Sequence, residues 1–210
     1  GVPLSIWLME EGDQLGIFEA GISATGEMEK LEKLIRPTIG VFTNIGDAHT
    51  EGFSSMDEKI REKMKLFSRS EILIYCRDHG KIHEVIESEG IGHKPPTLFT
   101  WGFHPTSDIH IQSIEKKLRQ TRIEAFHQGK NYSFSIPFTD SASVENALHA
   151  MAVMLYLSVS PESIGERMSK LPVLSMRLEL KEAINKCSVI NDSYTADWSS
   201  LQLAMNFLNQ

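Results

Sequence analysis

Two short segments constrain the fold of this chain more than any others. Residues 15–23 read Leu-Gly-Ile-Phe-Glu-Ala-Gly-Ile-Ser, and residues 39–49 read Ile-Gly-Val-Phe-Thr-Asn-Ile-Gly-Asp-Ala-His. Each is an apolar run that stops abruptly at polar, glycine-flanked positions, as a buried strand does where it meets solvent. Between them, residues 27–36 carry Met28, Leu31, Leu34 and Ile35 at helical spacing. Strand, helix and strand together make about one βαβ unit, with parallel strands and a right-handed crossover. Open α/β sheets bind ligands at the carboxyl ends of their strands. The pattern therefore predicts Glu19 and His49 side by side at the mouth of one crevice.

The rest of the chain extends this plan. Residues 55–67 place Met56, Ile60, Met64 and Phe67 on one helical stripe. Residues 71–76 read as a strand, 80–89 as a short helix and 90–96 as a Gly- and Pro-rich loop. The texture then changes. Residues 108–114, 120–126 and 131–136 alternate apolar and polar positions, with His127-Gln128-Gly129-Lys130 as a turn. This predicts a small antiparallel sheet inserted at about residues 97–138. Residues 141–157 form an apolar helix, and 161–170 another with proline at its start. A linker at 171–175 precedes a strand pair at 177–183 and 187–191, and a helix starts at 199. The expected class is α/β, a mainly parallel sheet flanked by helices. Residues 1–174 form one domain, and 175–210 begin a C-terminal α/β domain.

Composition narrows the function classes. The chain has 210 residues, 41% of them hydrophobic and 23% charged, which is ordinary for a globular protein and needs no disulfide to hold its core. Its net charge is -7, with no run of Lys and Arg, which argues against a nucleic-acid partner. No apolar stretch approaches the ~20 residues of a membrane span, and no signal peptide is visible. Cys76 and Cys187 both lie in strand-like runs and read as buried thiols of a reducing, cytoplasmic compartment. Trp7, Trp101 and Trp198 read as packing residues, and the histidines other than His49 as surface or structural. The chain opens on Gly1 and starts and ends inside helical patterns. This reads as a piece of a longer protein.

A carboxylate and an imidazole converging at strand ends suit a divalent cation. Glu19 would supply hard oxygen for Mg²⁺ or Mn²⁺, and His49 is acceptable to Mn²⁺ and Zn²⁺. The same two residues could equally be a strand-end ion pair and a helix cap.

Glu19-x-Gly21-x-Ser23-x-x-Gly26-Glu27, followed by Thr43-Asn44-Ile45-Gly46-x-Ala48-His49-x-Glu51-x-Phe53, resembles the central domain of the Mur ligases. These are ATP-dependent amide ligases of peptidoglycan precursor synthesis. Gly21 with Gly26-Glu27 favours the members that add D-alanyl-D-alanine to UDP-N-acetylmuramoyl-tripeptide. The resemblance implies a P-loop NTPase-like fold with Glu19, His49 and a carbamylated lysine as Mg²⁺ ligands. The lysine lies in a family segment like Ala-Lys-Gly-Glu-Ile-Phe. Here that segment is Glu62-Lys63-Met64-Lys65-Leu66-Phe67, which assigns Lys63. An ammonium has no lone pair for a cation, whereas a carbamate has two anionic oxygens. Lys63 could otherwise be an exposed helix lysine beside Lys59 and Lys65.

The resemblance also implies ATP contacts at Asn44, Asn146, Arg177 and Asp192, with Arg177 reaching the terminal phosphates. Lys63, His49 and Arg177 become the candidate catalytic residues. Several positions depart from the family pattern. Ala142 and Ser143 stand where members usually have His-Asn, and Thr195, Asp197 and Trp198 stand where they have Asn, Asn and Pro. No Gly-x-x-x-x-Gly-Lys-Ser/Thr loop occurs in these residues, so the isolated chain is expected not to turn over ATP. The family reaction runs through an acyl phosphate that the dipeptide amine attacks. A related ligase adding amino acids or glutamate to folate, or a non-catalytic module, is the alternative. Some members are fused to an alanine racemase.

Overall fold

The computed structural model describes residues 1–46, 52–90, 95–172, 179–193, 201–202 and 204–205, without the side chain of Lys186. The chain divides into two compact units, Gly1–Ser107 and Asp108–Gln210.

The first unit carries helices α1 (Val2–Trp7), α2 (Glu27–Ile35), α3 (Met56–Met64) and α4 (Gly80–Glu89), with strands β1 (Ile39–Phe42), β2 (Ile72–Cys76) and β3 (Thr97–Gly102). The three strands are parallel, with Ile39 opposite Ile72 and Ile72 opposite Thr97. All five residues of β2 are buried, as a central parallel strand covered on both faces requires. Its core joins Met28, Ile60, Met64, Phe67, Leu73 and Ile82. Gly40 in β1 leaves room for Phe67, whose ring a Cβ there would meet at 2.5 Å. Phe67 in turn packs on Phe42, with ring centroids 6.2 Å apart.

The expected strand at 15–23 is not formed. Residues 15–22 are irregular, with Leu15 60% and Ile17 86% exposed and only Ile22 buried. A strand exists only against a neighbour that takes up its backbone hydrogen bonds, and 15–22 have no ladder partner among the described residues. The βαβ reading therefore moves along the chain, to β1–α3–β2 and β2–α4–β3. The third parallel strand, β3, lay unseparated inside the segment assigned to the inserted sheet. That antiparallel part starts at Ile109.

The second unit holds an antiparallel meander of β4 (Ile109–Lys116), β5 (Thr121–His127) and β6 (Lys130–Ile136). Alternate residues Ile109, Ile111, Ile123, Ala125, Phe134 and Ile136 are buried, which is the period-2 pattern of a sheet with one covered face. The β5–β6 turn puts Gln128 at φ 48° and Gly129 at φ 77°, the paired positive angles of a two-residue hairpin turn. Helices α5 (Ser141–Tyr156) and α6 (Pro161–Ser169) follow, capped by Asp140 and Ser160. A hairpin of β7 (Glu179–Glu182) and β8 (Ser188–Asn191) comes next. The expected linker at 171–175 falls largely outside the described residues.

Cys76 is buried, as expected, whereas Cys187 is exposed at the hairpin turn. Trp101 is buried, but Trp7 is 85% exposed, because α1 buries no residue at all. Trp198 lies outside the described residues. No described helix is long and apolar enough to cross a membrane.

Candidate active site

The site is built where β1 ends. After Phe42 the backbone leaves the sheet, and Thr43, Asn44 and Gly46 are exposed. Helix α3 then runs back past this turn. Its start is fixed locally: Ser55 Oγ accepts the Glu58 amide at 3.1 Å, and Glu58 accepts the Ser54 amide at 2.6 Å. This is a reciprocal cap. Lys59 and Lys63, four residues apart, share one face of α3. Lys59, 3% exposed, donates to the Gly46 carbonyl at 2.6 Å. Lys63 donates to the Asn44 carbonyl at 3.2 Å, and its ammonium stands 5.7 Å from the centre of the Phe42 ring. Burial, and secondarily the Lys59 charge, pushes the Lys63 ammonium below its ordinary pKa. Both effects favour the neutral amine, the form that attacks carbon dioxide to give a carbamate and a proton.

The Glu19 loop is held by two other carboxylates. Glu27 accepts the amides of Ser23 at 2.7 Å and Ala24 at 3.0 Å, and the Ser23 hydroxyl. These bonds, the Ser23 amide first, hold its carboxyl below the usual range. Glu62, on α3, accepts the amides of Gly26 at 2.6 Å and Met28 at 3.4 Å and pairs with Lys65 at 2.6 Å. The loop after β1 comes back onto this one: a Cβ at Gly52 would collide with the Ser23 carbonyl oxygen. An open depression of about 550 Å³ lies beside it, lined by Gly21, Ile22, Ser23, Glu27, Lys30 and Leu31. At the ends of β2 and β3, Asp78 accepts the amides of Phe103 at 2.7 Å and His104 at 3.2 Å.

The structure thus joins Lys63 directly to Asn44 and brings the loops at Ser23 and Gly52 into contact. Glu19 is exposed and makes no hydrogen bond or ion pair among the described residues. His49 and Arg177 lie outside the described residues. Asn146 is exposed on α5, where Asp140 rather than Asn146 takes the capping bond, from the Ser143 amide at 2.7 Å. Asp192 is half-buried just after β8. Among the described residues no three His, Cys, Asp or Glu side chains cluster as metal ligands do. Of the described candidate ligands, Glu19 offers a carboxylate, and Lys63 would suit a hard divalent cation only as a carbamate, since an ammonium has no lone pair.

The sequence reading missed Lys59, Glu62 and Glu27. The four-residue spacing of Lys59 and Lys63 was the available signal for the first. His83 bonds the buried Tyr75 hydroxyl at 2.8 Å, and His127 bonds the Asp108 carbonyl at 2.7 Å, structural roles as expected.

Residues 1–154 match the family model described as the Mur ligase middle domain. The chain is 28% identical over 208 residues to the UDP-N-acetylmuramoyl-tripeptide--D-alanyl-D-alanine ligase of Bacillus subtilis, covering 98% of this chain and 43% of that protein. It is 23% identical to the same-named ligase of Borreliella burgdorferi, covering 99% and 44%. The crystal structure of MurF from Acinetobacter baumannii shares its fold over 100% of this chain and 45% of that one, with a TM-score of 0.84 and 23% identity. MurF from Thermotoga maritima in complex with ADP does so over 100% and 48%, with a TM-score of 0.81 and 19% identity. The chain spans about half the length of the curated relatives it matches.

Proposed function

The chain belongs to the Mur ligase family, and from that premise we propose that it is the ATP-handling part of a cytoplasmic ligase joining D-alanyl-D-alanine to UDP-N-acetylmuramoyl-tripeptide. The observation that carries the reading is the Lys63 amine, held against the Asn44 carbonyl at the carboxyl end of β1. Residues 1–174 form the central domain, and 175–210 begin the C-terminal one.

The site residues take the following roles. Glu19, His49 and a carbamate on Lys63 would hold Mg²⁺, which would supply neutralising charge for phosphoryl transfer. Lys59 donates to the Gly46 carbonyl and holds the backbone just after β1. Asn44, Asn146 and Asp192 orient the nucleotide, and Arg177 clamps its terminal phosphates. The tripeptide carboxylate attacks the γ-phosphorus, and the bond to ADP breaks. The amine of D-alanyl-D-alanine then attacks the acyl phosphate carbon and expels phosphate, leaving an amide. The 210-residue chain alone, without a Gly-Lys-Ser/Thr phosphate loop, does not complete this cycle.

The test is ATP-dependent phosphate release by the full-length protein, given the UDP-linked tripeptide with and without D-alanyl-D-alanine. Release that requires both, with the amide-linked pentapeptide as product, supports the reading. Turnover with a single amino acid in place of the dipeptide, or none at all, overturns it.

A further inference from the structure

Glu62 touches nothing that reacts, yet it sits at the centre of the site's architecture. Its side chain is 1% exposed, and both oxygens are occupied, Oε1 by the Gly26 and Met28 amides and Oε2 by Lys65. It therefore has no open face for a cation or substrate. We propose that Glu62 is a positioning residue, which locks the Glu19 loop to the helix that carries Lys63 and so sets the spacing of the cation ligands. This rests on the metal site proposed above.

Three observations converge on the role. Adjacent residues of a helix point about 100° apart, and here they grip two different loops: Lys63 reaches Asn44 after β1, while Glu62 reaches Gly26 before α2. From Gly26 the connection continues without a gap. Glu27, the next residue, holds the Ser23 and Ala24 amides, within five residues of Glu19. Finally, α2 has no cap of its own: its N-cap is Gly26 at φ 86°, with no side-chain bond, so its first amides depend on a carboxylate from α3. An N-cap side chain would have stabilised α2 alone. A carboxylate from α3 ties the helix start to the Lys63 helix instead.

The neighbouring residue supplies the test. Lys65 ends at the same spot, 2.6 Å from Glu62 Oε2. Positions 62 and 65 are three residues apart on one side of the helix end, so a carboxylate at 65 would lie close to the place Glu62 fills. The experiment compares the full-length protein with Glu62→Ala, Glu62→Gln and the double variant Glu62→Ala/Lys65→Glu. Mn²⁺ binding is titrated in bicarbonate buffer by the EPR signal of the free ion, alongside thermal melting. Glu62→Ala is expected to weaken Mn²⁺ about tenfold or more, the usual cost of removing a group that orients ligands. Glu62→Gln, which keeps one acceptor oxygen and the side-chain volume, falls between, and serves if the alanine variant does not fold. The double variant returns to within about threefold of the parent. Unchanged Mn²⁺ affinity in a folded Glu62 variant overturns the proposal. So does a double variant that recovers its melting temperature but not its Mn²⁺ affinity, which marks a purely structural carboxylate. A parent protein that binds no Mn²⁺ refutes the metal site itself, and the positioning role with it.

Discussion

Residues 15–22 and strand β1 flank α2 on either side, and they differ in what stands beside them. β1 has β2 along its edge and Phe67 on its face, and its Phe42 is buried. Residues 15–22 have no ladder partner among the described residues, and Ile17 is open to solvent. Yet each leads toward candidate site residues: Glu19 and Ser23 on one side, Asn44 and the Lys63 contact on the other. The lesson is that such a loop need not be held by its strand. Here the Glu19 loop is held from beyond it, by Glu27 and Glu62, while the β1 turn is held by the sheet behind it and by Lys59 in front.

This contrast can be broken by substitution. The largest effect is expected on the β1 side: Phe42→Ala should cost about 3–5 kcal/mol in denaturant unfolding, whereas Ile17→Ala should change stability by less than about 0.5 kcal/mol. Equal costs would mean that 15–22 are packed after all. Next comes chemistry. Lys63→Ala in the full-length protein should lower ATP-dependent phosphate release at least about 10²-fold, since even outer groups of a metal site are worth 10–100-fold. Activity near the parent's would remove Lys63 from the site. The join between the two regions is tested at Gly52, where a side chain meets the Ser23 carbonyl. Gly52→Val should cost about 1–3 kcal/mol in thermal melting. Gly46→Ala, into open space, should cost under about 0.5 kcal/mol.

The smallest effect is a pH dependence on the Glu19 side. The Glu27 carboxyl lies below its ordinary value of 4.5 in the folded chain because the Ser23 and Ala24 amides bind its anion. Its contribution is therefore present above pH 4.5 and is lost as pH falls through the lower folded value. Glu27→Gln should lower the melting temperature at neutral pH, with the gap to the parent closing on acidification. A gap that widens in acid would contradict the assignment.

Much of this was legible in the residues. Periodicity marked α2, α3, α4, α5, α6 and the meander, because each buries one face and its apolar spacing records that. The Gln128-Gly129 turn was legible from its glycine. What failed depended on neighbours in space. Residues 15–20 have the texture of a strand, but texture does not supply the adjacent ladder. Thr97–Gly102 hid because only its last three residues are fully buried, which blurs its pattern. At the candidate site, Lys63 was proposed through a motif. Glu62 was invisible because a buried carboxylate on a charged helix looks the same in sequence as a solvated one. The Gly26 and Met28 amides that it accepts distinguish it.

The proposed carbamate on Lys63 can be sought by ¹³C NMR of the full-length protein in ¹³C-bicarbonate. A carbamate resonance is expected that grows as pH rises and more amine is neutral, is present in the parent, and is lost in Lys63→Ala. A spectrum with no carbamate, or one whose carbamate survives in Lys63→Ala, would contradict it.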